Sequence, residues 1–164
     1  METQAAIRGR ATDARAAITG LGIISCIGCT LDDVAGSLRS GRSGIVLDTE
    51  RKKAGFRSGL TGKISGFDPE RYGCSHKMLR TMCEPAQYAY GAAKDAIRDA
   101  GLTPRHLSGE RCGIIFGNDS CVKAAVESID IVRETGETHF IGGGYIFREM
   151  NSTVSMNLAA IFGI

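Results

Sequence analysis

The sequence predicts an α/β layered domain, and three observations carry that prediction. Apolar residues recur at helical spacing in four separate segments. The unbroken run Gly113-Ile-Ile-Phe116 has the composition of a strand buried on both faces of a parallel sheet. A glycine turn, Gly20-Leu-Gly22, follows directly on a short apolar segment near the N-terminus. Strands alternating with helices in this order are the pattern of layered α/β folds. The 164 residues, 43% hydrophobic and 23% charged, are enough to bury a core without disulfide staples and are far from a disordered composition.

Taken in order, residues 1–14 are rich in Ala, Arg, Thr and Gly without an apolar period and read as a flexible leader; residues 15–164 read as the domain. Arg15 to Thr19 reads as a strand ending in the glycine turn. Thr30 to Gly41 reads as a helix marked at both ends, with Thr30 as cap, Asp32 and Asp33 at the positive end of the dipole, and Gly41 as stop. Leu31, Val34 and Leu38 would form its buried stripe. Residues 42–76 are rich in Gly, Ser and charge, and read as a long surface excursion. Between Lys77 and Gly101 the helical period returns, with a stripe of Leu79, Met82, Ala86, Ala89, Ala93, Ala96, Ile97 and Ala100. Pro85 fits only the first turn of the continuous helix. Arg111 to Gly117 reads as the buried strand. Residues 119–135 follow as a helix with Val122, Ala125, Val126, Ile129 and Val132 on its inner face. A last helix carries Met150, Val154, Leu158, Ile161 and Phe162.

Several function classes fall away on composition. A net charge of +2 is too small for a nucleic-acid face. No apolar run approaches the ~20 residues that span a bilayer, and the N-terminus lacks the apolar core of a secretory signal, so the chain reads as cytoplasmic. The six cysteines are irregularly spaced and read as reduced thiols packed as small hydrophobes. Cys26 and Cys29 form a C-x-x-C pair, but Cys74-Ser-His76 is a poor second half for a zinc site, so no metal is expected. The turn at Gly20-Leu-Gly22 is followed by extended sequence, with the next helix cap at Thr30. A dinucleotide site needs the helix to open at once, so close backbone packing is the better reading of these glycines. The histidines at 76, 106 and 139 lie in polar segments, and no cysteine occupies an obvious strand-to-helix elbow.

Longer stretches carry a family resemblance. Arg15-Ala-Ala-Ile-Thr-Gly-Leu-Gly-Ile-Ile-Ser-Cys-Ile-Gly28, followed in register by the helix and by Gly41-Arg-Ser-Gly-Ile45, resembles the opening of the β-ketoacyl-[acyl-carrier-protein] synthases. Gln87-Tyr-Ala-Tyr-Gly-Ala-Ala-Lys-Asp-Ala-Ile-Arg-Asp-Ala-Gly-Leu102 is similar to the family's long helix. Arg111 to Gly117 is similar to its next strand, and Met150 to Ile164 to the helix after that. The resemblance implies the N-terminal portion of a layered thiolase-like fold. It also implies an acyltransferase that elongates an acyl chain by decarboxylative Claisen condensation with a malonyl carrier-protein thioester, without metal or nucleotide cofactor. In the family the nucleophilic cysteine follows the segment matched by Met150 to Ile164, and two histidines and a lysine come later still. None of the six cysteines here takes that role, and a polypeptide of these residues alone is expected to be inactive.

Residue by residue, the resemblance places Lys77 and Arg80 among basic residues that meet the acidic carrier protein, with His76 adding charge when protonated. Asp119, Ser120 and Cys121 fall on the glycine-rich gate of the acyl pocket, and Glu149, Met150 and Thr153 on pocket residues reaching toward the dimer partner. A Glu149 carboxylate facing an apolar tunnel would be costly and would be better turned outward. The implied partners are an acyl carrier protein, a second polypeptide or downstream segment completing the fold, and a second complete unit in a homodimer. The alternative is a non-catalytic relative, a scaffold like the chain-length factors; a nucleotide-binding protein is a distant third. Without cover, Ala16 to Thr19, Cys112 to Phe116 and the final helix would present bare apolar surface.

Overall fold

In the computed structural model, residues 15–119 and 121–164 are described; the predicted leader and Ser120 lie outside the described residues. The described chain runs through α1 (Leu31–Arg39), β1 (Ile45–Leu47), α2 (Thr49–Lys53), β2 (Leu60–Gly62), a 3₁₀ turn (Pro69–Tyr72), α3 (His76–Leu79), α4 (Glu84–Asp99), α5 (Pro104–Leu107), α6 (Val122–Thr135), α7 (Tyr145–Glu149) and α8 (Thr153–Phe162).

Local chemistry sets the helix ends. Thr30 accepts a hydrogen bond from the Asp33 amide at the start of α1, with Asp32 and Asp33 in the first turn. Pro85 sits in the first turn of α4, where its missing N–H costs nothing, and Gly101 adopts a left-handed φ of 65° just past the end. The core forms where α4 meets α8. Met82, Ala86, Ala89 and Tyr90 are buried with Val154 and Leu158, and the Tyr90 and Phe162 rings stack at 5.6 Å. Alanines on α4 let the α8 side chains approach its backbone closely. On another side of α4, Gly91 admits the Phe67 ring, which also meets Tyr72 and Tyr88 and so holds the 3₁₀ turn in place. Gly20 and Gly22 cross α4 so closely that a Cβ on Gly22 would lie 1.9 Å from the Ala92 carbonyl oxygen. These glycines serve close backbone packing, as their sequence context predicts.

Four expectations need correction. Residues 15–19 and 111–117 form no β-ladder; the one sheet among the described residues is the antiparallel pair β1–β2, inside the surface excursion. A strand exists only beside a neighbour, and a cleft of about 410 Å3 lies between residues 22–24 and 116–119 over α4. Ile18 and Ile115 accordingly stand 82% and 102% exposed. In α1 the buried face is Val34 and Ser37, while Leu31 and Leu38 are exposed, because Ser37 Oγ turns inward to donate to the Ile27 carbonyl at 2.6 Å. In α6, Ala124 is buried and Val122, Val126 and Ile129 face out. That helix instead meets α7 through polar contacts, Ser128 to Glu149 and Glu127 to Arg148. The final helix is not bare, since Val154 and Leu158 are each 1% exposed against α4.

Leu158→Ala is expected to cost about 2–5 kcal/mol, whereas Leu38→Ala should stay within about 0.5 kcal/mol. Urea unfolding of both variants checks the ordering, and equal costs would contradict the buried face assigned to α1.

Candidate functional site

Lys77 and Arg80 lie three residues apart around α3, and hence on one face, a four-residue helix opened by Ser75, whose Oγ accepts from the Met78 amide. Both side chains are exposed, and among the described residues neither makes an ion pair. Their backbone is held firmly. Met78 and Leu79 pack on the α4–α8 core, and Asn157 of α8 donates to the Thr81 carbonyl at 3.2 Å while accepting from Thr81 Oγ1. His76 beside them points toward Glu70, with Nε2 3.8 Å from a carboxylate oxygen. The result is a small exposed basic ridge with a rigid base.

The residues assigned to an acyl pocket separate into two groups. Cys121 and Thr153 converge on Cys83 at the start of α4. The Cys83 and Cys121 sulfurs are 3.3 Å apart, and Thr153 is fully buried, its Oγ1 accepting from Asn157 Nδ2 at 3.2 Å. Asn118 Nδ2 donates to Cys121 Sγ at 3.0 Å and reaches the Asn151 carbonyl, tying the loop before α6 to the segment before α8. Cys83 and Cys121 form one wall of a cavity of about 400 Å3 whose other walls include Gln87, Lys123 and Arg148. Asp119 is exposed on the neighbouring cleft with Phe116 and Asn118. Glu149 and Met150 stand apart from the thiols. Glu149 turns to α6, accepting from Ser128 Oγ at 3.1 Å, and Met150 is exposed. Ser120 lies outside the described residues. Cys83, Asn118 and Arg148 were not legible as site residues. Cys83 stands 38 positions from its partner sulfur, and only Asn118, three residues before Cys121 in a polar turn, had a local signal.

Burial sets the protonation of this region. It pushes the Cys83 thiol up to about 11, with the neighbouring Cys121 adding to the rise. Cys74 is raised by burial in the same core, and Tyr88 is raised by burial and by its hydrogen bond to Glu84. No cysteine–histidine hydrogen bond is present among the described residues, where His106 caps α5 and His139 pairs with Glu137. Nor is there, among the described residues, a cluster of three His, Cys, Asp or Glu side chains able to hold a metal. No helix among them is long and apolar enough to cross a membrane.

The family described as Beta-ketoacyl synthase, N-terminal domain, matches residues 13–164. The chain is 35% identical over 92% of its length to the 3-oxoacyl-[acyl-carrier-protein] synthase 1 of Haemophilus influenzae, and covers 37% of that protein. Its structure superposes on the ishigamide ketosynthase/chain length factor with a TM-score of 0.77 at 28% identity, over 90% of this chain and 36% of the other. It also superposes, with a TM-score of 0.69 at 17% identity over 89% of this chain and 38% of the other, on a type II PKS acyl-carrier protein in complex with its ketosynthase bound to the hexaketide. The chain therefore belongs to the β-ketoacyl synthase family and has the N-terminal portion of the thiolase-like fold. It spans a little over a third of the length of the curated relatives it matches.

Since Cys83 keeps its proton in the folded chain but releases it near 9.0 when unfolded, stability should be intact below pH 9 and fall as pH rises toward about 11. Urea midpoints across that range should decline in the parent chain and less steeply in Cys83→Ser. A midpoint that rises with pH would contradict the burial described.

Proposed function

We propose that this chain supplies the N-terminal portion of a cytoplasmic β-ketoacyl-acyl-carrier-protein synthase, which elongates an acyl chain by decarboxylative Claisen condensation with a malonyl thioester. The observation that carries the reading is agreement between family and fold along nearly the whole chain: the family match over residues 13–164, and superposition on ketosynthases over 90% of the structure. In such an enzyme a cysteine thiolate takes the acyl group from the carrier thioester. Loss of carbon dioxide from the malonyl group then leaves a carbanion that attacks the acyl carbonyl, and backbone amides hold the oxyanion.

The residues here serve that chemistry by position. Lys77 and Arg80 offer positive charge to an acidic carrier protein, on a ridge that α8 keeps from moving. Cys121, Ser120 and Asp119, before and at the start of α6, are assigned to the pocket gate. Thr153, Met150 and Glu149 are assigned to the pocket side toward the second unit of a homodimer. Exposed Ile18, Ile115, Val126 and Ile129 give the rest of the enzyme apolar surface to cover. A second reading, a non-catalytic partner of the chain-length-factor kind, is favoured by one observation, the 0.77 TM-score to a ketosynthase/chain length factor. A cysteine at the nucleophile position of the complete protein supports the enzyme, and its replacement supports the scaffold.

Two outcomes follow. Lys77→Glu with Arg80→Glu in the complete enzyme should weaken carrier-protein binding roughly tenfold at low ionic strength and less at high salt; calorimetric titration showing unchanged affinity at low salt would return both residues to ordinary surface. A polypeptide limited to these 164 residues should neither decarboxylate malonyl thioesters nor elongate acyl chains, and product detected by mass spectrometry would overturn that assignment.

A further inference from the structure

The Cys83–Cys121 contact has no part in the condensation chemistry, and its geometry is particular. Two helices, α4 and α6, start side by side, and each has a cysteine as its cap residue. The sulfurs approach to 3.3 Å, and among the described residues this is the one pair of thiols in contact. Cys26 and Cys29, the pair that sequence spacing singles out, make no sulfur–sulfur contact of this kind, and Cys29 Sγ donates to the Ser65 carbonyl. We propose that Cys83 and Cys121 are a redox modification site, a dithiol that a small hydroperoxide oxidises to a reversible intrachain disulfide.

Three features support it. The first is distance: closing 3.3 Å to the ~2.04 Å of a disulfide needs a shift of little over an ångström, within the reach of side-chain rotation at two cap residues. The second is access. Each cysteine is only 6% exposed, yet both face the cavity of about 400 Å3, which is ample for a peroxide molecule. The third is polarity of the pair. Cys121 Sγ already accepts the Asn118 amide N–H at 3.0 Å, which leaves Cys83 as the S–H donor between the two sulfurs. Burial keeps Cys83 protonated and makes it the second thiol to react.

The chemistry balances with hydrogen peroxide as the oxidant. The Cys121 thiolate attacks one peroxide oxygen and the O–O bond breaks. The departing hydroxide takes up the proton released by Cys121, which leaves a sulfenic acid and one water. The Cys83 sulfur then attacks the sulfenic sulfur and displaces hydroxide, which leaves with the Cys83 proton as a second water. The two thiols lose two electrons and two protons, and the peroxide gains both. An added dithiol reverses the bond by two exchange steps. The disulfide would clamp the first turn of α4 to the first turn of α6 and fix the loop from Asn118 to Cys121 on the cavity wall. This inference rests on the sulfur contact and its surroundings, and stands whether or not the chain belongs to an active synthase.

The test uses the unmodified full chain. The reduced protein is treated with a small excess of hydrogen peroxide, its free thiols are blocked by alkylation, and the disulfide-linked peptides are quantified by mass spectrometry. The expected result is a Cys83–Cys121 cross-link at least tenfold more abundant than any other pairing, loss of two thiols per chain without covalent dimers, and full reversal by dithiothreitol. Buried Cys74, for which no thiol–thiol hydrogen bond is found among the described residues, should be alkylatable only after unfolding and so reports that the chain was folded. In Cys83→Ser, dimedone should trap a sulfenic acid on Cys121. Cross-links scattered over all six cysteines, oxidation of Cys26 or Cys29 while Cys83 and Cys121 stay reduced, or over-oxidation of Cys121 without a cross-link would each overturn the proposal.

Discussion

The seam between α4 and α8 is the contact on which the rest of the described structure depends. Ala86 and Ala89 present almost no side chain, so Val154 and Leu158 reach the α4 backbone and Phe162 lies flat on Tyr90. The basic ridge and the thiol pair both rest on this seam. Asn157, one residue before Leu158, holds the Thr81 carbonyl and with it the turn bearing Lys77 and Arg80. Cys83 and Cys121, at the heads of α4 and α6, belong to the same buried cluster as Val154 and Leu158. A change that loosens α8 would therefore reach the basic ridge and the thiol pair together, although the two lie at opposite ends of a short stretch of chain.

Helix ends and close glycine contacts were legible in the sequence because each depends on a few neighbouring residues. Thr30 caps α1, Pro85 opens α4 and Gly22 packs on Ala92 as the local sequence predicts. Strand pairing was not legible, because a ladder is a property of two segments. The Gly113-Ile-Ile-Phe116 run reads as a buried strand, yet Ile115 is fully exposed where nothing lies alongside it. Helix faces were legible only where a partner exists. The apolar stripe of α8 found α4, while that of α6 faces outward and the helix docks through Ser128 and Glu127 instead. Periodicity shows that a face is apolar and leaves open what covers it.

The same distinction separates the candidate site residues. Lys77 and Arg80 were accessible to charge logic and to family resemblance, and they stand exposed on a fixed base. Resemblance groups Cys121, Thr153 and Glu149 in one pocket, but the fold sends Glu149 toward Ser128, where a hydrogen bond meets the carboxylate's need without placing it against apolar groups. Cys83, whose neighbours in sequence are unremarkable, becomes the centre of the cluster because α4 and α6 begin at the same point in space. Chemistry that arises from converging helix starts is invisible to spacing along the chain.

Backbone amide exchange followed residue by residue tests the central claim most directly, namely that the α4–α8 seam is the structure's stable unit. The account predicts that amides of Tyr90 to Asp99 and of Asn157 to Phe162 are the slowest to exchange and open with one shared free energy, while residues 15–24 and 111–119 exchange at nearly unprotected rates. Exchange in α8 as fast as in α6, with α4 protected on its own, would contradict it.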